Sequence, residues 1–165
     1  MTYYQTIYTS PIGEIFLLAS CRQLLGACFC DQTDSFSRFF DLSQTNQTET
    51  SVLVKAQWWL DAYFQGEKPE PSDYLALRGT PFQNTVWQAL QSTPYGQTQT
   101  YGQIAKKLNC RSAQAIGAAL GRNPLLLFLP CHRVLGRNHQ LTGYAGGLER
   151  KAWLLDHEQN RLETL

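Results

Sequence analysis

The chain has 165 residues, 43% of them apolar, and a net charge of +1 at pH 7, a composition that fits one medium domain or two small ones with ordinary cores. No run approaches the roughly eighteen apolar residues of a membrane span, and the opening MTYYQTIYTSPIG has neither the basic nor the apolar region of a signal peptide, so a cytoplasmic protein without membrane association is expected. Five cysteines, an odd number in a chain with no export signal, argue against a disulfide framework and for free thiols.

Residues 3–9, 14–20 and 24–30 are short aromatic and aliphatic runs separated by turn formers such as SPIG, which predicts an antiparallel meander. The polar stretch DLSQTNQTETS then leads into VLVKAQWWLDAYFQGE, where Val52, Ala56, Trp59 and Tyr63 keep helical spacing. GEKPEPSD, rich in proline and charge, reads as a linker, so the expected domains are residues 1–79 and 80–165. The second opens on TPFQNTVWQALQ, with Thr80 as helix N-cap, Pro81 at the first helical position and Gln83 completing a capping box. TYGQIAKKL and SAQAIGAALGRN, joined by NCR, form a helix-turn-helix pattern. LLLFLPCHRV reads as an extended or irregular apolar segment and GRNHQLTG as a hairpin turn. GLERKAWLLDHE reads as a closing amphipathic helix with Leu148, Ala152 and Leu155 on its apolar face.

The halves differ in charge. Up to Gly79 there are five Lys/Arg against nine Asp/Glu, and from Thr80 nine against four. A basic second half suits a polyanion, although drift of surface charge gives the same count. The second helix of the pair is nearly bare, with Ala113, Ala115, Gly117, Ala118, Ala119 and Gly121. Glycine inside a helix costs roughly 1 kcal/mol against alanine, so close approach of another surface should offset it. A neighbouring helix would serve, and so would a nucleic-acid groove, since Lys106, Lys107, Arg111 and Arg122 flank the segment.

Cys131 stands beside His132, after Pro130 and before Arg133. A zinc site needs more Cys or His at ligand spacing than His132 and His139 provide. In a cysteine–histidine hydrolase the base must reach the sulfur directly, whereas neighbours in an extended segment project to opposite sides and suit a bridging water instead. A buried structural cysteine is the third reading.

The longer pattern of PCHRV, GYAGG and KAWLLDHE, preceded by GTPFQNTVWQAL, TYGQIA and GRNP, resembles the O6-alkylguanine-DNA alkyltransferases. It covers the second half motif by motif, and the first half in length and layout. The resemblance implies an α/β (α+β) protein with a ribonuclease H-like first domain, built on a small antiparallel sheet with helices. A mostly helical alkyl-acceptor domain would follow. It implies a reaction without cofactor or metal, in which Cys131 irreversibly takes the alkyl group from O6-alkylguanine, or from O4-alkylthymine, in duplex DNA. Each molecule, acting as a monomer, would work once.

By the same resemblance, His132, a water and Glu158 relay the thiol proton, because attack needs a thiolate and a free thiol is mostly protonated at neutral pH. Tyr101 serves the N3 nitrogen of the departing guanine, and Asn123 braces the turn at the cysteine. Cys131, Val134, Tyr144, Ala145 and Gly146 surround the base, and Arg133 is structural. The base has to leave the stack, at a cost of a few kcal/mol, while the bare helix lies in the minor groove. Tyr101, Gly102, Arg111, Gln114, Ala115 and Arg137 are the expected DNA face. The chain departs from the family pattern in having Gln114 where arginine fills the vacated space, with Arg111, three residues earlier on the same helical face, as a partial substitute. It also has Ala145 where some members carry serine. With no histidine before His132, Cys21, Cys28 and Cys30 are expected as apolar fillers of strands, and His139 and His157 as surface residues. The rival class is a non-catalytic lesion-binding protein, whose known members replace the acceptor with tryptophan. A transcription regulator lacks room for a sensing domain.

Overall fold

The computed structural model describes residues 2–33 and 40–163, with side chains as far as residue 159. The chain divides into two compact units, Met1–Ala76 and Leu77–Leu165. No helix among the described residues is long and apolar enough to cross a membrane.

The first unit is built on strands β1 (Tyr3–Ser10), β2 (Gly13–Ala19) and β3 (Leu24–Phe29), an antiparallel meander as the spacing predicts. The β1–β2 turn is closed by Ser10, whose hydroxyl accepts from the Ile12 N–H and donates to the Gly13 carbonyl. Strand alternation sends Phe16 and Leu18 into one apolar cluster, joined by Cys28 and Ala76 and by Leu25 where the β2–β3 register shifts. Helix α1 (Ser51–Phe64) packs on β1, β2 and β3. Thr50 caps it by accepting from the Leu53 N–H, and its buried face is Val52, Leu53, Ala56, Leu60 and Tyr63. Trp59, read as part of that face, is half-buried and donates its indole N–H to the Glu70 carbonyl.

Three details depart from the sequence reading. Within the polar stretch after residue 40 lies a two-residue strand, β4 (Thr45–Asn46), parallel to β1 and too short to show a period. The stretch read as a linker belongs to the first unit, and the chain after it pairs with β3, the Leu24 N–H reaching Tyr74 and the Ala76 N–H reaching Leu24. Of the three cysteines read as strand fillers, only Cys28 is one. Cys21 is exposed between β2 and β3, and Cys30 is half-buried where β3 gives way to a 3-10 turn.

The second unit contains helices α2 (Pro81–Leu90), α3 (Tyr101–Lys107), α4 (Ala113–Gly121) and α5 (Leu148–Glu163). Both α2 and α3 begin in full capping boxes, Thr80 with Gln83 and Thr100 with Gln103, which satisfy amide groups that a helix start leaves open. α2 and α3 pack on α4, and the Trp87 indole of α2 donates to the Ala119 carbonyl of α4. Strand β5 (Gln99–Thr100) immediately precedes Tyr101, and β6 (Val134–Leu135) immediately follows the 3-10 turn Cys131–Arg133. Their parallel pairing, Gln99 with Val134 and Thr100 with Leu135, therefore brings Tyr101 and Cys131 together from distant parts of the chain.

The closing helix turns a different face inward from the one predicted. Leu148 and Ala152 are exposed and Leu155 is half-buried, while Lys151, Leu154 and Glu158 are buried. Their spacing is as helical as the apolar triad's. The interior they meet is polar, so a charged stripe is what packs there.

Candidate active site

The site grows from the apolar run Leu125–Leu129, all buried, which turns back on itself through a left-handed Leu127 (φ 75°) and delivers Pro130 and Cys131. Asn123 locks this turn. Its Oδ1 accepts from the Leu125 N–H, and its Nδ2 donates to the Leu129 carbonyl at 2.9 Å and to the Cys131 sulfur at 3.2 Å. The expected brace beside the cysteine thus touches the sulfur itself.

Cys131 to Arg133 form a single 3-10 turn rather than an extended segment, and all three side chains are buried. The imidazole and guanidinium converge on one carboxylate from α5. His132 Nε2 lies 2.6 Å from Glu158 Oε2, while Arg133 Nε donates to Glu158 Oε1 at 2.8 Å and the Gly96 N–H to the same oxygen at 2.9 Å. Arg133 also donates to the Thr93 carbonyl and lies over the Tyr95 ring. It is therefore structural, as expected, and also a direct electrostatic partner of the glutamate.

Burial works to raise the Glu158 carboxyl, but His132 and Arg133 outweigh it and hold the group well below the usual carboxylate range. Burial lowers His132 against the pull of Glu158, so the ring rests neutral with its Nε2–H donated to the carboxylate. For Cys131, burial pushes the thiol up to about 11, against the Asn123 hydrogen bond and the nearby Lys151 charge, which both pull it down. A thiol so held is protonated at neutral pH and would need its proton removed to act as a nucleophile, a task for which a neutral imidazole backed by a carboxylate is suited.

Above the sulfur is a cavity of about 260 Å³ lined by Tyr101, Gly117, Leu120, Gly121, Cys131, Gly143, Tyr144 and Ala145. Tyr101, Tyr144 and Ala145 are sequence-predicted residues that the fold brings to it. Val134 and Gly146 are buried nearby in the chain, in β6 and ahead of α5, but do not line it. Gly117 and Gly121 explain part of the bareness of α4. A Cβ at Gly121 would meet nothing within 4 Å and one at Gly117 only the Tyr101 ring at 3.8 Å, so these glycines leave room in the cavity rather than for a packed neighbour. Tyr144 stands edge-on to His132, and its hydroxyl is buried, which raises the phenol well above its ordinary value.

Of the expected DNA face, Gly102, Gln114, Arg111 and Arg137 are exposed, and Tyr101 and Ala115 half-buried. Arg111 is not on the face of α4 with Gln114. It precedes the N-cap Ser112, whose side chain accepts from the Ala115 N–H, and so lies in the turn between the two helices. His139 is exposed, whereas His157 is half-buried and stacked on Trp153. Among the described residues no group of three or more His, Cys, Asp or Glu is placed to hold a metal ion.

Lys151 is the functional candidate that sequence reasoning missed. It is fully buried, and its ammonium donates to the Thr142 carbonyl at 2.6 Å and the Gly143 carbonyl at 3.0 Å. Its position seven residues before Glu158, on one helical face, was the available signal.

Comparison with known proteins gives a consistent result. Residues 81–160 match the family model described as 6-O-methylguanine DNA methyltransferase, DNA binding domain, and residues 3–78 match that of the ribonuclease-like domain of the same enzymes. The chain is 43% identical over 156 residues to a methylated-DNA–protein-cysteine methyltransferase of Mycobacterium leprae, covering 94% of this chain and 92% of that one. It is 41% identical over 161 residues to the constitutive enzyme of that name from Bacillus subtilis, covering 96% of each. Its fold is similar to the crystal structure of Mycobacterium tuberculosis O6-methylguanine methyltransferase (TM-score 0.85, 39% identity, 97% of this chain and 94% of that one). A Mycobacterium tuberculosis structure in complex with DNA is also similar (TM-score 0.83, 38% identity, 98% and 94%).

Proposed function

The chain belongs to the 6-O-methylguanine DNA methyltransferase family, and from that premise we propose how its own residues carry the reaction. The protein repairs duplex DNA directly by transferring the alkyl group of O6-alkylguanine to Cys131. A carbon–sulfur bond forms as the carbon–O6 bond breaks with its electron pair left on the guanine, which stays in the DNA strand and takes up a proton from water, while the thiol proton passes through a bridging water to His132, steadied by Glu158. Tyr101, which lines the cavity, hydrogen-bonds the guanine ring as charge develops on it. Asn123 holds the sulfur in line. A thioether has no ready return to a thiol, so each molecule acts once.

Residues 80–165 form the acceptor and DNA-binding domain and residues 1–79 the ribonuclease H-like domain. Tyr101, Gly102, Arg111, Gln114, Ala115 and Arg137 face the DNA. One chain supplies every group named, so a monomer suffices, and duplex DNA as the substrate argues for a cytoplasmic protein.

The observation that carries this reading is the buried sulfur on the wall of a cavity, held by Asn123 and followed at once by a histidine tied to a buried glutamate. Intact mass after incubation with an O6-methylguanine duplex tests it. One methyl increment per chain, absent in Cys131→Ser, is expected. Tight binding with unchanged mass would instead make the protein a lesion binder.

A further inference from the structure

The proton relay makes no use of Lys151, yet this side chain is as deeply buried as any in the unit. A charge taken out of water is costly unless it is paired, and burial pulls the Lys151 ammonium down to about 8. Among the described residues its partners are two backbone carbonyls, of Thr142 and Gly143, rather than a carboxylate. Those carbonyls belong to the segment that continues as Tyr144 and Ala145 along the cavity. Gly143 sits in left-handed backbone (φ 49°), with the Tyr101 hydroxyl 3.6 Å from where a Cβ would be. The Thr142 carbonyl accepts a second hydrogen bond as well, from the Tyr101 hydroxyl at 3.2 Å.

A phenol has one proton to donate. While it is given to Thr142 it cannot be given to a base in the cavity, and withdrawing it would leave a half-buried carbonyl short of a donor unless another remained. Lys151 is that donor, and at 2.6 Å it is the shorter of the two contacts. We infer that Lys151 is a positioning residue for alkyl transfer. By holding the Thr142 and Gly143 carbonyls it fixes one wall of the cavity and allows the Tyr101 hydroxyl to turn from Thr142 to the bound purine. This rests on the function proposed above and adds a residue that acts through Tyr101.

The test is a double-mutant cycle on the full chain with an O6-methylguanine duplex, measuring the single-turnover transfer rate at saturating protein and the duplex affinity separately. Lys151→Met should lower the transfer rate by roughly 100- to 1,000-fold, the scale of losing one placed donor, with duplex affinity little changed. Tyr101→Phe should then cost much less in the Lys151→Met background than in the unmodified protein, because a parked phenol has nothing left to lose. Should Lys151→Met fold poorly by thermal melting, Lys151→Gln, which keeps amide donors, enters the same cycle, with partial recovery of rate expected. Wild-type rates in the Lys151 variants, or losses that multiply independently of Tyr101, would overturn this inference alone. Absence of transfer by the unmodified protein would overturn the reaction as well.

Discussion

Among the described residues of the unit that ends at Ala76, Ser20 is the one polar member of the buried set. The unit that begins at Leu77 buries Thr93, Asn123, His132, Arg133, Lys151 and Glu158. The first pattern is what burial of apolar area produces when nothing else is asked of a core. The second is expensive, since each buried charge or amide must be matched by partners of the right geometry. Its members meet around one thiol. Asn123 touches the sulfur, His132 adjoins it in the chain, Glu158 binds His132 and Arg133, and Lys151 holds the cavity wall. Stability and chemistry are thus drawn from different kinds of interior.

The sharpest way to break that contrast is to truncate one residue of each kind. Leu60→Ala, in α1, should cost about 2–5 kcal/mol of stability in chemical denaturation, as buried leucines do, while methyl transfer survives wherever the variant is folded. Glu158→Ala should cost a similar amount, roughly 3–5 kcal/mol, because it strands the Arg133 guanidinium and leaves the His132 and Gly96 donors without their acceptor. It should also abolish measurable methyl transfer at temperatures where the variant remains folded. Full transfer by folded Glu158→Ala would show that the polar interior is scaffolding only.

How much of this was legible in the sequence follows from the same contrast. Where folding is driven by apolar periodicity or capping chemistry, the sequence showed it: the three long strands, α1, and the Thr80 helix start. Where a packed face is polar, a search for apolar periodicity looks the wrong way. On α5 it selected Leu148, Ala152 and Leu155, and the helix buries Lys151, Leu154 and Glu158 instead. Glu158 was reached only through the KAWLLDHE resemblance, and Lys151, inside the same motif, was passed over because a lone lysine normally reads as surface. The cavity was invisible for another reason. Gly117 and Gly121 announce missing side chains, but whether a neighbour or open space fills the gap depends on the fold. β4 rests on two residues, too few for any pattern.

Acid should separate the two interiors without any mutation. Glu158 is held below its ordinary value, so the unfolded chain takes up a proton below roughly pH 4.3 that the fold refuses, and stability falls as pH drops through that region. His132 is also lowered, so the unfolded chain protonates it first below roughly pH 6.5, again favouring unfolding as pH falls. The two contributions have the same sign. The thermal midpoint should decline from about pH 6.5 and more steeply below about 4.3, and Glu158→Gln should flatten the lower limb. An unchanged acid profile in Glu158→Gln would place the acid sensitivity outside this cluster.

The smallest effect concerns the outside of the same unit. Gln114 is exposed in the first turn of α4, where the helix dipole favours anions and where a side chain facing DNA would meet phosphate or the space left by a flipped base. Glutamine can wedge and hydrogen-bond there, but it lacks the cation and the planar guanidinium that stacks on bases. Gln114→Arg should therefore speed repair of a lesion in duplex DNA by a few-fold and steepen the salt dependence of duplex binding by about one phosphate contact. Its thermal midpoint should fall by a few degrees at most, because the side chain buries nothing but a cation in the first turn opposes the helix dipole by about 0.3–1 kcal/mol. Arg111 lies in the turn before Ser112 rather than on the helix, so it cannot share the face of Gln114, and its contact should be with the backbone of DNA. Arg111→Ala should accordingly lower affinity equally for damaged and undamaged duplex, leaving the transfer rate at saturation intact. If neither substitution changes duplex repair, α4 does not present this edge to DNA, and its two glycines answer only to the cavity behind them.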